Sequence, residues 1–148
     1  MGKKIRMAVL LLLAILICFV LSIPIVNNIT VSDVAKGLKA LPLPENTEYI
    51  ESLSKAGKLV GSGNGMQYFG CILIKSGLSQ EELTEYYSDV TDGAEYLSVA
   101  PQAGQIVEGI EHDTLTFQTQ VNSSDYYIVS NWGKGFGTIY SELDVRGY

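Results

Sequence analysis

The chain has 148 residues, 47% of them hydrophobic and 18% charged, with a formal net charge of -6 at pH 7. That is room for one compact domain plus an appendage; it is too apolar for a disordered chain and too acidic for a general nucleic-acid binder. Two cysteines make no disulfide scaffold and one histidine leaves little for a metal centre, so neither metal nor cofactor is expected.

Lys3, Lys4 and Arg6 precede an apolar run from Met7 to Val26, and no charge returns until Asp33. At 1.5 Å per residue, about 20 helical residues cross a hydrocarbon core of about 30 Å, so the run is expected to span a membrane. The rival is a cleaved secretory signal, which would need a shorter apolar core of about 7–15 residues and small residues at a cleavage site. The run is longer than that, and no Ala-x-Ala follows it. Cys18 follows bulky Ile17 inside the run, unlike a lipoprotein signal. Either reading exports the remainder. The basic tail of residues 1–6 belongs inside by the positive-inside rule. Residues 31–148 carry seven basic and 16 acidic side chains, a net -9, and belong outside.

Residues 27–46 read as a juxtamembrane stalk. Ser32 is a candidate cap for a short helix to about Ala40, with Val34, Leu38 and Leu41 near one face, weakened by Gly37 and ended by Pro42 and Pro44. Docking on the domain or plain spacing is its expected role. The compact domain is expected over 47–148. Weaker strands fall near 48–55, 95–100 and 105–110, and Gln67–Lys75, rich in β-formers, predicts a central strand.

A helix near 80–90 is the best-supported element. Ser79 and Glu82 form a capping box, Leu78 and Leu83 a hydrophobic staple, and Leu83, Tyr86, Tyr87 and Val90 an apolar face. Asp92-Gly93 ends it. Leu115, Phe117, Thr119 and Val121 alternate with polar residues, the pattern of a half-buried strand. Tyr126–Trp132 follows a polar turn at Asn122–Asp125, and Phe136–Leu143 follows Gly133-Lys-Gly135 as a further strand. The fold class expected is therefore α+β: an antiparallel sheet or meander with one packed amphipathic helix, preceded by a single N-terminal transmembrane helix.

Chemistry is sparse. His112, between Glu111 and Asp113, is a candidate general base, alone or with Cys71 as a thiolate nucleophile. Cys71 lies in a β-rich apolar segment, where cysteine acts as a small hydrophobe. Gly61-Ser-Gly-Asn-Gly65 invites a phosphate-loop reading, but a strand rather than a helix follows it, so it reads as a hairpin connection. Leu43-Pro-Glu-Asn-Thr47 lacks the glycine, apolar tail and basic stop of a sorting signal. The aromatic residues stand out instead. Exposed Tyr and Trp suit protein interfaces and stack on sugars, and Trp132, Tyr126, Tyr127 and Phe136 form the candidate binding surface.

One pattern is familiar. Pro42, Pro44 and Thr47, a Gly-rich hairpin, and a strand leading into Ser79–Tyr87 (Ser-x-Glu-Glu-Leu-x-x-Tyr-Tyr) resemble small exported or membrane-anchored proteins of Gram-positive bacteria over residues 42–90. The resemblance implies a compartment and a fold, and no catalytic residue. Type IV pilins share the apolar helix and β-rich head, but the Gly-Phe processing site and the Glu within the run are missing. The expectation is a non-enzymatic, single-pass envelope protein that binds a protein or cell-wall partner. A small hydrolase or transferase using His112 is the alternative.

Overall fold

One helix, α1 (Lys3–Ala40), runs unbroken from the basic tail through the apolar run and into the head of the protein. The structure is a computed structural model describing residues 2–91, 97–134 and 138–148. The helix is long and apolar enough to cross a membrane. Up to Ser22 it is almost wholly exposed. Beyond that, Ile23, Asn27, Val31, Ala35 and Leu38 are buried, a stripe at helical spacing laid against the head. The separate stalk helix expected from Ser32 is thus the second half of α1. Pro24 and Gly37 do not break it, because tertiary packing on the stripe outweighs their local cost of about 1–3 kcal/mol each.

The remaining elements confirm the α+β class. In chain order they are β1 (Thr47–Gly57), β2 (Gln67–Ser76), α2 (Gln80–Val90), β3 (Leu97–Pro101), β4 (Tyr126–Trp132) and α3 (Ile139–Leu143), with a 3-10 turn at Val145–Gly147. The four strands form one antiparallel sheet in the order β1-β2-β4-β3. The capping box of α2 is formed as predicted: Ser79 N–H donates to Glu82 at 2.8 Å, and Glu82 N–H donates to Ser79 Oγ at 3.2 Å. Leu83 and Tyr87 are its buried face. Its expected stop at Asp92-Gly93 lies outside the described residues; Thr91 is the C-cap.

Both faces of the sheet are covered. On one, α1 and α2 close over Ile72, Ile74, Val99 and Val129; on the other, residues 102–121 close over Phe69, Cys71, Leu73 and Ile128. Two expected strands therefore differ. The alternation at 115–121 is real, with Leu115 and Phe117 buried and their neighbours exposed. Yet β2 and β3 already occupy both edges of β4, so this segment crosses the sheet as a layer, with only an isolated bridge between Ile106 and Thr116. That bridge is also all that stands where a strand was expected at 105–110. The segment expected as a strand over Phe136–Leu143 is helical from Ile139, because Thr138 and Ser141 make a second capping box. Phe136 itself lies outside the described residues.

Contact between α1 and the sheet depends on two glycines. A Cβ on Gly70 would come within 2.8 Å of both the Ala35 nitrogen and Val34 Cγ1, and one on Gly133 would also collide with Val34. Below that seat lies a buried polar cluster. Asn27 Nδ2 donates to Tyr140 O at 2.9 Å and to Asp144 Oδ2 at 2.8 Å, and Tyr68 Oη donates to Asn27 Oδ1 at 2.6 Å. Arg146 pairs with Asp144 through Nε and Nη2 and reaches Asn28 Oδ1 at 2.8 Å. The Arg146 guanidinium, helped by the Asn27 amide and opposed by burial, holds the Asp144 carboxyl down to about 2.

Two outcomes follow for the full-length chain in detergent. Gly70→Ala lowers stability by about 1–3 kcal/mol through overpacking, whereas Gly63→Ala, with open space around it, leaves the melting temperature unchanged. Asp144→Asn costs about 2 kcal/mol at neutral pH, from a carboxyl held roughly two units below its ordinary value. A lowered carboxyl pKa stabilises above the unfolded value near 4 and ceases to do so as pH falls towards 2. The two thermal-unfolding curves therefore converge in acid.

Candidate functional site

The sheet places three of the four candidate aromatic residues on β4, whose alternation divides them between faces. Tyr126 and Trp132 share the face under residues 102–121, six residues apart at opposite ends of the strand; Tyr127 points to the α2 side. Tyr126 is buried, with Lys75 Nζ 5.4 Å from its ring centroid, and Tyr127 is half-buried. They do not form one surface. Trp132 borders a recess.

That recess is a groove of about 330 Å³ between the β3–β4 edge and residues 101–109. Trp132 packs on Phe69, ring centroids 4.9 Å apart, and together they form its aromatic wall. Ser98 and Ser130 offer hydroxyls, and Glu108 offers a carboxylate. The rim is held by Gln102, a buried amide that no sequence signal singled out. Its N–H donates to Tyr126 O at 2.9 Å and its Nε2 donates to Gly104 O and Ile106 O at 3.1 and 2.8 Å. Gly104 and Gly109 have φ of +74° and +83°, which lets the chain turn twice around the opening. The floor is apolar, the rim accepts and donates hydrogen bonds, and one wall is aromatic: features suited to holding an extended chain or a sugar ring.

The other candidates are held differently. His112 Nε2 donates to Gly61 O at 2.7 Å, while Glu111 accepts from Gly61 N–H at 2.8 Å. Together they clamp the Gly61 turn, so the histidine nitrogen nearest the loop is already engaged. This loop joins β1 to β2, the hairpin connection expected of the Gly-rich segment. Asp113 pairs with Lys55 at 2.6 Å, and that contact lowers its pKa. Cys71 is fully buried in the centre of β2, and desolvation pushes its thiol up to about 12. A thiol in that state is no nucleophile at neutral pH. No group of three or more metal-ligating side chains occurs among the described residues.

Comparison with known proteins yields no matching family model, no similar curated protein and no similar solved structure.

Reactivity of the buried thiol is directly measurable. In a Cys18→Ser chain at about pH 8, iodoacetamide should leave Cys71 unmodified until denaturant is added; rapid labelling of the native chain would show an open, reactive site.

Proposed function

We propose that this chain is a single-pass membrane protein whose basic tail stays in the cytoplasm and whose acidic α+β head stands outside, in the cell envelope. There it acts as a non-enzymatic binding module for a protein or cell-wall component. The observation that carries this reading is the continuity of α1: the helix that suits a membrane also supplies buried side chains to the head. Removing the apolar run by cleavage near Val26 would leave Asn27 at a free chain end, still required in the buried polar cluster. The resemblance of residues 42–90 to small exported proteins of Gram-positive bacteria favours the same compartment.

The groove beside Trp132 is the binding surface in this reading. An anchored protein meets its partner at the high effective concentration of a shared surface, so a modest groove suffices. What weighs against the alternative, catalysis by His112, is the engagement of its Nε2 and the burial of Cys71.

The test is cross-linked capture from intact membranes with the native chain, Trp132→Ala and Ser98→Tyr, the last filling the groove from an exposed position. A partner held by the native chain and lost from both variants supports the reading. A partner retained by both variants, or none with any chain, overturns the groove assignment. Resistance of the head-bearing chain to alkaline extraction, with protease attack only from outside, is the expected topology. Release by alkali or attack from the cytoplasmic side overturns it.

A further inference from the structure

The segment that closes the polar cluster, residues 139–148, packs on a part of α1 that belongs to the apolar run. The Tyr140 ring lies 6.0 Å from that of Phe19. Phe19 is seven residues before Val26, about 10 Å along the helix axis towards the middle of the run. Leu143 and Val145 face Val20, Leu21, Ile23 and Pro24 across a cleft of about 320 Å³ with largely aliphatic walls. Val145 is 82% exposed, and Ile139, Leu143 and Tyr148 are about half exposed or more. In water, this segment would present a row of apolar side chains beside a helix that is itself surrounded by lipid.

Charge contributes as well. Although residues 31–148 are strongly acidic, the recess next to this segment gathers four basic side chains, Lys55, Lys58, His112 and Arg146, against one acid, Asp113, which pairs with Lys55, and Tyr148 also lines it. Lys58 N–H donates to Arg146 O at 2.7 Å, which ties that basic rim to the segment. Apolar residues flanked by tyrosines and cations are the composition of a membrane–water interface.

The geometry points to the bilayer as a second partner of the head: residues 139–148 lie in the headgroup region of the outer leaflet, with Leu143 and Val145 against the upper acyl chains and Lys58 and Arg146 level with the phosphates. This inference rests on the anchored reading proposed above. It makes the head a flush-seated body rather than one raised on a stalk.

Full-length protein reconstituted in vesicles of phosphatidylcholine and phosphatidylglycerol tests it. Three chains are compared: the native one, whose sole tryptophan is Trp132, Val145→Trp and Leu12→Trp. Each is measured in lipid brominated near the carboxyl end of the acyl chain and in lipid brominated near its terminal methyl. Val145→Trp should add emission that is blue-shifted and lost most strongly to the shallow bromines. Leu12→Trp should lose most to the deep ones, and native Trp132 should be unaffected by either. Quenching of Leu12→Trp without quenching of Val145→Trp overturns the inference and leaves the anchor intact. In that case red-shifted emission places Val145 in water, and blue-shifted emission places it under protein, such as a second copy of the chain. Loss of quenching in both variants overturns the anchored reading as well.

Discussion

A single amide, Asn27, decides how the helix meets the head. It directly follows an apolar run, is almost wholly buried, and would be costly there with any atom unpaired. Every one of its polar positions is used: the oxygen accepts from Tyr68, and the nitrogen donates to Tyr140 and to Asp144. These three bonds fix the rotation of α1 about its axis. With that rotation set, Val31, Ala35 and Leu38 fall on the sheet, and Val34 drops between Gly70 and Gly133. Slipping the helix by one residue would turn the amide by about 100° and leave Asp144 with only Arg146 to satisfy it.

The opposite side of the sheet is organised by another kind of bond. Residues 102–121 have almost no ladder, so side chains hold their backbone in place. Glu51 accepts from the N–H groups of Gln118 and Thr119, Gln102 gathers the turn at Gly104, and Gln105 reaches Phe117 O. Gln67 does the same for Leu59 and Val60. The groove beside Trp132 exists because this layer stops short of the β3–β4 edge. Its shape follows from a few polar side chains acting as struts.

Local signals in the sequence proved faithful. The Ser79–Glu82 box, the apolar run of β2 and the start of β4 at Tyr126 are each set by residues within a few positions, and each formed where expected. One local signal, the Thr138–Ser141 box of α3, reads in sequence as part of a strand; the rest of what escaped reading was long-range. Alternation at Leu115, Phe117 and Val121 reports burial on one side, and it looks the same whether a strand or a crossing layer provides it. Nothing local reveals that both edges of β4 are already taken. The polar cluster joins Asn27 to Asp144 across 117 positions, with only the bare sequence Asp-Val-Arg near the end as a trace. Gly70 and Gly133 show the same limit, since their value lies in how near α1 comes. Among the candidate aromatic residues, the sequence could suggest exposure for one of Tyr126 and Tyr127, but a sheet covered on both faces leaves neither free.

The link between α1 and residues 140–146 also has a bearing on biogenesis. During synthesis the helix emerges first, yet two of the three groups that satisfy Asn27, Tyr140 O and the Asp144 carboxylate, are made more than a hundred residues later. Until they arrive, the stripe from Val31 to Leu38 has a sheet to meet but no latch. Closure is thus a late event: the head can complete its fold only after Asp144 has been made, and a chain stalled before that point would carry an open helix–sheet seam.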